Sequence, residues 1–563
     1  MNTKSINYFP EWRILMLMLL AATQSSCGGG GSPSIPSFTI GGTVSGLAAG
    51  TTLVLQDNGA DSLAVSTNGA FAFSKSIQSG GAYAVTVSVP ATAQTCTVTG
   101  GSGMVTTANV SNVGVSCAPT TYSIGGTISG LTAGGVAVLN NNGGDAIALS
   151  ANGSFKFSTP ITTGSAYQVT VATQPTDQKC IVSNGAGTVA NSNISNVLVQ
   201  CPSLTVLHTF GGAMDGQGPE GGLVLASDGN FYGTTSGNGS TDFGTVFRIT
   251  PAGDETVLWH FGSGTDGAEP LAGLSQSSDG ALYGTTFYGG LYNGGTVFKI
   301  SLDGDEIVLW NFGQGTDGAA PHANVIEGTD GFVYGTTQGG GSFGHGTVFR
   351  VSRGGAETVL WNFGTSTNDG TQPLAPLIQV SDGTFYGTTF TGGLYNTGTV
   401  FKLTPSGASI LWNFGAAGDG ASPVGGLTQG SDGALYGATQ QGVGKGFYGT
   451  GFRITTAGDE TVLWYFSDHF DLGVFPQSTL VLGRDGSFYG TTSAGGSTSG
   501  GQGGIYRVTP DGVTTALWAF TFPSEGPIEG VVEGSDGAFY GTTVGYQNAS
   551  GITPPGRVYK LSF

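Results

Sequence analysis

The chain has 563 residues, a formal net charge of −19, 104 glycines and only 9% charged residues. So acidic a chain offers no basic patch for nucleic acid or for anionic lipid, since both are held through lysine and arginine. High glycine and the lack of any amphipathic helical stretch leave little room for helices, and the length allows several β cores.

At the N-terminus Lys4 and Arg13 flank an apolar run at 14–22 that is too short to span a bilayer. It reads as a signal peptide over 1–26. Cys27 follows, then a Gly, Ser and Pro linker to residue 36. This looks like a bacterial lipoprotein cleavage site with Cys27 as the lipid attachment residue. It departs from such sites in having Gln24 where they usually hold Leu. The membrane is expected to be reached through that anchor alone, ordinary secretion being the alternative.

Two copies of one module come next, at 37–118 and 119–202. Ile40-Gly41-Gly42 recurs as Ile124-Gly125-Gly126, Asn68-Gly69 as Asn152-Gly153 and Tyr83 as Tyr167, always 84 residues apart. Runs at 38–40, 52–55, 62–65, 70–73, 83–87 and 113–115 read as strands, with Asn68-Gly69 as a hairpin turn. Cys96 and Cys117, and Cys180 and Cys201, sit 21 apart in equivalent places and are expected to pair, leaving Cys27 single. Two cysteines without a nearby histidine make no zinc site, whereas disulfides imply an oxidising compartment and contribute about 3 kcal/mol for loops of this size. Each copy has the size of a small β-sandwich, loosely similar to immunoglobulin-like or carboxypeptidase-regulatory-like modules, and a spacer role is expected.

From 203 to 563 a unit recurs seven times: SDG-x-[LF]-YGTT, a glycine-rich gap, GTVF[KR], then TVLW-x-FG and a loop with DG and Pro. Its tyrosines, Tyr232, Tyr283, Tyr334, Tyr386, Tyr436, Tyr489 and Tyr540, are 50–53 residues apart. A fixed period near fifty is the mark of a repeat fold. The first unit divides into strands at 222–226, 230–235, 245–250 and 256–261, separated by Asp228-Gly229 and by Pro251-Ala252-Gly253-Asp254, both good turn material. Four near-continuous apolar strands per unit describe a propeller blade covered on both faces.

Trp259, Trp310, Trp361, Trp412, Trp464 and Trp518 mark six fourth strands; the segment 205–210 has the same pattern with His208 at the tryptophan place, and the last unit lacks a fourth strand of its own. The expected fold is therefore all-β: two sandwiches, then a seven-bladed propeller closed by its own N-terminal strand, which removes the open sheet edge. Arg248, Lys299, Arg350, Lys402, Arg453, Arg507 and Lys560 share one repeat position. With 251–254 as the turn, Arg248 would pair with Val257 and lay its stem over Trp259.

These motifs resemble the GloVer (Gloeo/Verruco-type) tandem repeats of exported bacterial proteins with varied anchoring. The resemblance implies a propeller and export, and carries no reaction. Gly437-Ala438-Thr439 in place of GTT and Gly449-Thr450-Gly451-Phe452 in place of GTVF are local departures.

Binding is expected on the loops that join blades and second to third strands. There Phe287, Tyr288, Tyr292, Phe343, Phe390, Tyr395, Phe447 and Tyr448 lie in glycine-rich settings, and aromatic rings on loops stack on sugar faces or anchor proteins. The loop aspartates Asp215, Asp266, Asp317, Asp369 and Asp419 fall short of a calcium cage, with one carboxylate per blade. The reading is an exported, surface-tethered binding or adhesion scaffold at the cell envelope, as an outer-membrane lipoprotein or at the cell surface. It is expected to be monomeric and without cofactor or metal, with a cell-surface glycan or protein as ligand. The alternative is a metal-assisted lyase or hydrolase with His322 and His345 on the loop face and Glu327 close in sequence; some propeller enzymes, such as streptogramin lyases and lactonases, use face residues this way.

Overall fold

A computed structural model describes residues 34–175, 178–212, 214–237, 243–262, 265–443, 448–466, 473–495, 501–521, 525–545 and 553–563. The expected signal peptide, Cys27 and Phe447 lie outside the described residues. The chain divides into two compact units, Met1–Thr121 and Tyr122–Phe563. All the regular elements described are strands.

In the first unit, one sheet has the order Gly69–Gln78, Ser37–Ser45, Val110–Pro119, Gln94–Thr99, and a second has Asp61–Val65, Leu53–Asp57, Ala82–Val89, Ser102–Met104. Ile40, Leu55, Phe73, Val85 and Val115, drawn from both sheets, form the single core between them. Ser37–Ser45 and Val110–Pro119 run parallel, and a Cβ on Gly42 would lie 1.7 Å from the Val113 carbonyl oxygen. The double glycine of the module is thus the place where two backbones cross. Asn68-Gly69 is not a hairpin turn: the strands on either side of it belong to different sheets. Asn68 instead accepts from the Leu47 N–H and donates to the Leu47 carbonyl, tying the crossover to a loop. Gln94–Thr99 escapes pattern reading because its outward residues are all threonine. The second unit opens on the same eight-strand order, with its own core. Disulfides Cys96–Cys117 and Cys180–Cys201 close both copies.

The main sheets of the rest of the second unit are seven antiparallel sheets, one per repeat, the first five four-stranded and the last two five-stranded. Sheet 1 is Val224–Leu225, Phe231–Thr235, Thr245–Ile249 and Glu255–His260. Sheet 7 takes Val532–Glu533, Phe539–Gly545 and Arg557–Ser562 from the last repeat, and its fourth strand is Ser203–Thr209 from the first. Core clusters bridge each sheet to the next: Tyr232 with Leu282, Tyr283 with Val333, Tyr334 with Phe385, Tyr386 with Leu435, Tyr436 with Phe488 and Tyr489 with Phe539. The seventh cluster joins Tyr540 of sheet 7 to Phe231 of sheet 1. The sheets therefore close on themselves in a propeller-like ring.

The recurrent motif is consumed in building this ring. The DG glycine takes positive φ, +82° at Gly229, and in every sheet but the fourth the aspartate beside it accepts the tyrosine hydroxyl four residues on, 2.8 Å for Tyr232 and Asp228. The glycine after that tyrosine has no room for a side chain, since a Cβ on Gly387 would sit 2.6 Å from the Phe401 ring. In sheets 1, 2, 3, 4 and 6 the first threonine of GTT donates toward the next sheet, as Thr234 does to the Ala272 carbonyl at 2.8 Å. The second pairs within its own sheet, Thr235 with Thr245 at 2.8 Å. Departures have local causes. Ala438 gives up the bond to the next sheet, and Gly451 makes way for Trp464, whose ring would lie 1.9 Å from an added Cβ.

The basic position is not where the turn reading put it. Arg248 lies opposite Thr256, not Val257, because Thr250 and Asp254 close a three-residue turn, and on its other side it lies directly opposite Tyr232. The cations accordingly meet the DG aspartate and the tyrosine of their own sheet, not the tryptophan. Lys299, Arg453 and Lys560 pair with Asp279, Asp432 and Asp536 at 2.7–2.8 Å. Lys299, Lys402 and Lys560 stand 5.5–5.8 Å from the rings of Tyr283, Tyr386 and Tyr540.

Candidate functional site

One side of the ring is formed by the hairpin turns, the other by the longer loops that join second to third strands and sheet to sheet. On the loop side the recurrent aspartates are buried inside their own loops. Asp266 accepts from the Gly262 N–H at 3.0 Å and from the Trp259 indole at 3.3 Å, and Asp419 does the same for Gly415 and Trp412. In sheet 7, His208 at the tryptophan place pairs with Asp215 at 3.2 Å. These carboxylates hold loops, and no group of three or more His, Cys, Asp or Glu suited to a metal occurs among the described residues.

A second device stiffens this side. The residue before six of the seven loop prolines has left-handed backbone, among them Glu269, Ala320, Gln372, Ser422 and Phe475 with φ between 53° and 59°. Its N–H donates to a second-to-third-strand loop and its carbonyl accepts from the end of a second strand, as Gln372 does with His345 and Phe390. Each such residue clamps two loops at the cost of local strain.

On this scaffold Tyr288, Tyr292, Phe343, Tyr395 and Tyr448 are 37–52% exposed, with Leu291 and Leu394 beside them. Phe287 and Phe390 are half-buried, Phe287 packing edge-on against Tyr288 at 4.6 Å. Tyr292, Phe343 and Tyr395 occupy one loop position in sheets 2, 3 and 4. All three loops are pinned alike: the N–H groups of Leu291, Ser342 and Leu394 donate to the Asn311, Asn362 and Asn413 side chains at 2.7–2.8 Å. Those asparagines end the fourth strands of their own sheets, so the rings stand over the outer part of the ring, away from its axis. The asparagine after Trp310, Trp361 and Trp412 was the sequence signal that separates these sheets from the others, which carry His260, Tyr465 or Ala519 there.

His322, His345 and Glu327 are not brought together as a trio. His345 is exposed on a loop, and His322 is half-buried beside Phe287, 6.0 Å between rings. Burial pulls the His322 imidazole below its ordinary value, partly offset by a hydrogen bond to the backbone of Leu374. Glu327 is five residues further along an extended segment, roughly 16 Å away, and faces the hairpin side. There it accepts from Ser278 and ion-pairs with Arg353, contacts that hold its carboxyl below its usual value against the opposing effect of burial.

What motif reading passed over is a position that varies widely inside the repeat. The residue after each loop proline is Glu220, Leu271, His322, Leu374, Val424, Gln477 and Ile528 in turn. The glycines and alanines that follow pack backbone to backbone, a Cβ on Gly273 lying 2.4 Å from the Gly222 carbonyl oxygen. These seven side chains thus stand at the inner rim of the loop side. Glu220 lines a cavity of about 550 Å³ with Gln217, Ser236 and Ile528. Burial holds the carboxyls of Glu220 and Glu529 above their ordinary value, Glu529 up to about 7.

Residues 178–393 and 324–554 match the family model of the Gloeobacter/Verrucomicrobia repeat. The chain belongs to that family. No curated protein matches the sequence. Among solved structures, this Gloeobacter/Verrucomicrobia repeat protein is similar to a provisionally assigned gluconolactonase at 11% identity, covering 64% of this chain and 92% of that one with a TM-score of 0.32. It is also similar to provisionally assigned 6-phosphogluconolactonases from Bacteroides fragilis (18% identity, 58% and 94% covered, TM-score 0.38) and Bacteroides uniformis (15%, 68% and 95%, 0.36). At these identities and scores no residue is carried over, and the site rests on the repeat protein's own side chains. Two disulfides place it in an oxidising, extracellular or periplasmic location, and no helix among its described residues is long and apolar enough to cross a membrane.

Proposed function

We propose that the seven sheets are the blades of a seven-bladed propeller spanning 203–563, and that the protein is an exported binding scaffold whose loop side recognises a glycan chain. The observation that carries this reading is the repetition of one exposed ring, Tyr292, Phe343 and Tyr395, at one pinned position on three consecutive sheets. A ligand that repeats along its length meets a surface that repeats, and each ring stacks on a sugar face without losing much side-chain freedom. In this reading the modules at 37–118 and 119–202 are immunoglobulin-like sandwich spacers, and Cys27 carries a lipid that tethers the chain to the cell envelope.

The experiment is a binding screen of the full chain against glycans and cell-wall fragments, with and without divalent cations, beside the Tyr288→Ala, Tyr292→Ala, Tyr395→Ala variant. Saturable binding that the variant loses supports the reading. Binding only to proteins redirects it to a protein ligand. Turnover that depends on His322 and His345 would replace it with the enzyme alternative.

A further inference from the structure

The hairpin side holds a second surface, independent of the loop-side reading. Between sheets 3 and 4 lies a cleft of about 320 Å³ lined by Asp330, Tyr334, Arg350, Leu360, Phe385 and Pro405. Its floor is the stacked pair of Tyr334 and Phe385, ring centroids 4.2 Å apart. The third-to-fourth-strand turn of sheet 4 is one residue shorter than its counterparts, with Thr404 paired to Gly407, and this leaves the outer wall low. With Arg248 and Lys402, Arg350 is one of the loosely held members of its series. Its nearest carboxylate oxygen, on Asp330, is 3.6 Å away, its guanidinium rests 4.5 Å over the Phe332 ring, and its buried Nε has no partner.

The same cleft exists between sheets 6 and 7, on the equivalent stack of Tyr489 and Phe539, and there it is filled. Ile181 from the Ile181–Ser183 strand of the second module, together with Phe563, packs against Tyr489, Leu517, Phe539 and Leu561. Arg507, the counterpart of Arg350, donates from Nη1 to the Ser183 hydroxyl at 3.2 Å. The protein therefore shows what this cleft accepts: an extended strand with a β-branched side chain and, two residues on, a hydroxyl. The first module carries the duplicate of that strand. Eighty-four residues earlier, Thr97 stands for Ile181 and Thr99 for Ser183, and both are exposed.

We propose that the cleft between sheets 3 and 4 is a self-association site that takes the Gln94–Thr99 strand of a second copy, Thr97 entering against Leu360 and Phe385 and the Thr99 hydroxyl accepting from Arg350. The contact is heterologous: repeated, it builds a ring where its rotation closes and an open chain of molecules where it does not. A threonine methyl fills less of the cleft than isoleucine does, which makes the wild-type contact weak and the monomer the dominant species at low concentration.

The test is sedimentation of the full chain over a concentration series. Thr97→Ile, which copies the second module, is expected to tighten association about tenfold. In that background Arg350→Ala, and separately Ser406→Trp at the exposed rim turn, return the chain to monomer, whereas Lys299→Ala and Tyr292→Ala leave association unchanged. A Thr97→Ile chain that stays monomeric up to roughly 0.5 mM, weaker than specific contacts of this kind, would overturn the proposal. So would assembly that survives both Arg350→Ala and Ser406→Trp.

Discussion

Four glutamates make the stability of the ring depend on pH in an unusual direction. Glu255, Glu306, Glu357 and Glu460 begin the fourth strands of sheets 1, 2, 3 and 5, and each buries Oε1 without a partner. Burial first, and then the loop aspartates Asp215, Asp266, Asp317 and Asp419, push them from 4.5 to about 7 for the first three and about 8 for Glu460. In the unfolded chain they ionise near 4.5, so between that pH and about 8 the folded chain binds more protons. The stability they contribute is full below about pH 4.5 and is lost as pH rises through about 7. A shift from 4.5 to about 7 corresponds to ~3.4 kcal/mol at full weight. Partial contact with solvent cuts this to about 1 kcal/mol for each glutamate, or ~4 kcal/mol for the set. The assay is urea unfolding of the full chain from pH 4.5 to 8.5, beside a variant with all four changed to Gln. The variant is expected to match wild type at pH 4.5 and to exceed it by ~4 kcal/mol at pH 8. Sheet 4, with Ala408 at this place, supplies the natural example of a sheet that closes without the carboxyl. Parallel curves for the two proteins would refute the reasoning.

Other expectations follow from single contacts. Gly387→Ala places a methyl 2.6 Å from the Phe401 ring and is expected to cost about 1–3 kcal/mol, with Phe401→Leu restoring part of it in a denaturant melt. Ala438→Thr returns the missing bond to the next sheet and is expected to add about 1 kcal/mol, read as a rise in Tm of the second unit. Cys96→Ser with Cys117→Ser opens a 21-residue loop and should lower the stability of the first unit by about 3 kcal/mol. Because that unit is separate from Tyr122–Phe563, calorimetry should show the ring transition unmoved.

The sequence by itself determined the repeat, its four strands and the pairing of Ser203–Thr209 with the last repeat. The long-range pairing of Ser203–Thr209 with Arg557–Ser562 was legible because the first segment carries the fourth-strand pattern that the last repeat lacks. The repeat and its strands depend on contacts within one continuous stretch of chain, where turn residues and apolar runs act over four to twenty residues. Cysteine pairing was legible for the same reason, each pair lying on neighbouring strands of one module. Tertiary structure decided the rest. A three-residue turn set Arg248 opposite Thr256, one residue from the expected partner, and its pairing on the other side put it opposite the tyrosine of its own sheet, a register that no propensity records. Asn68-Gly69 became a crossover because its flanking strands joined different sheets. His322 and Glu327, five residues apart, were drawn to opposite sides because the segment between them is extended. The inner rim of Glu220, Leu271, His322 and their counterparts, the unpartnered glutamates and the open cleft beside Arg350 all lie between sheets that are about fifty residues apart in sequence. Only ring closure brings such residues into contact, and it does so through the side chains that the repeat leaves free to vary.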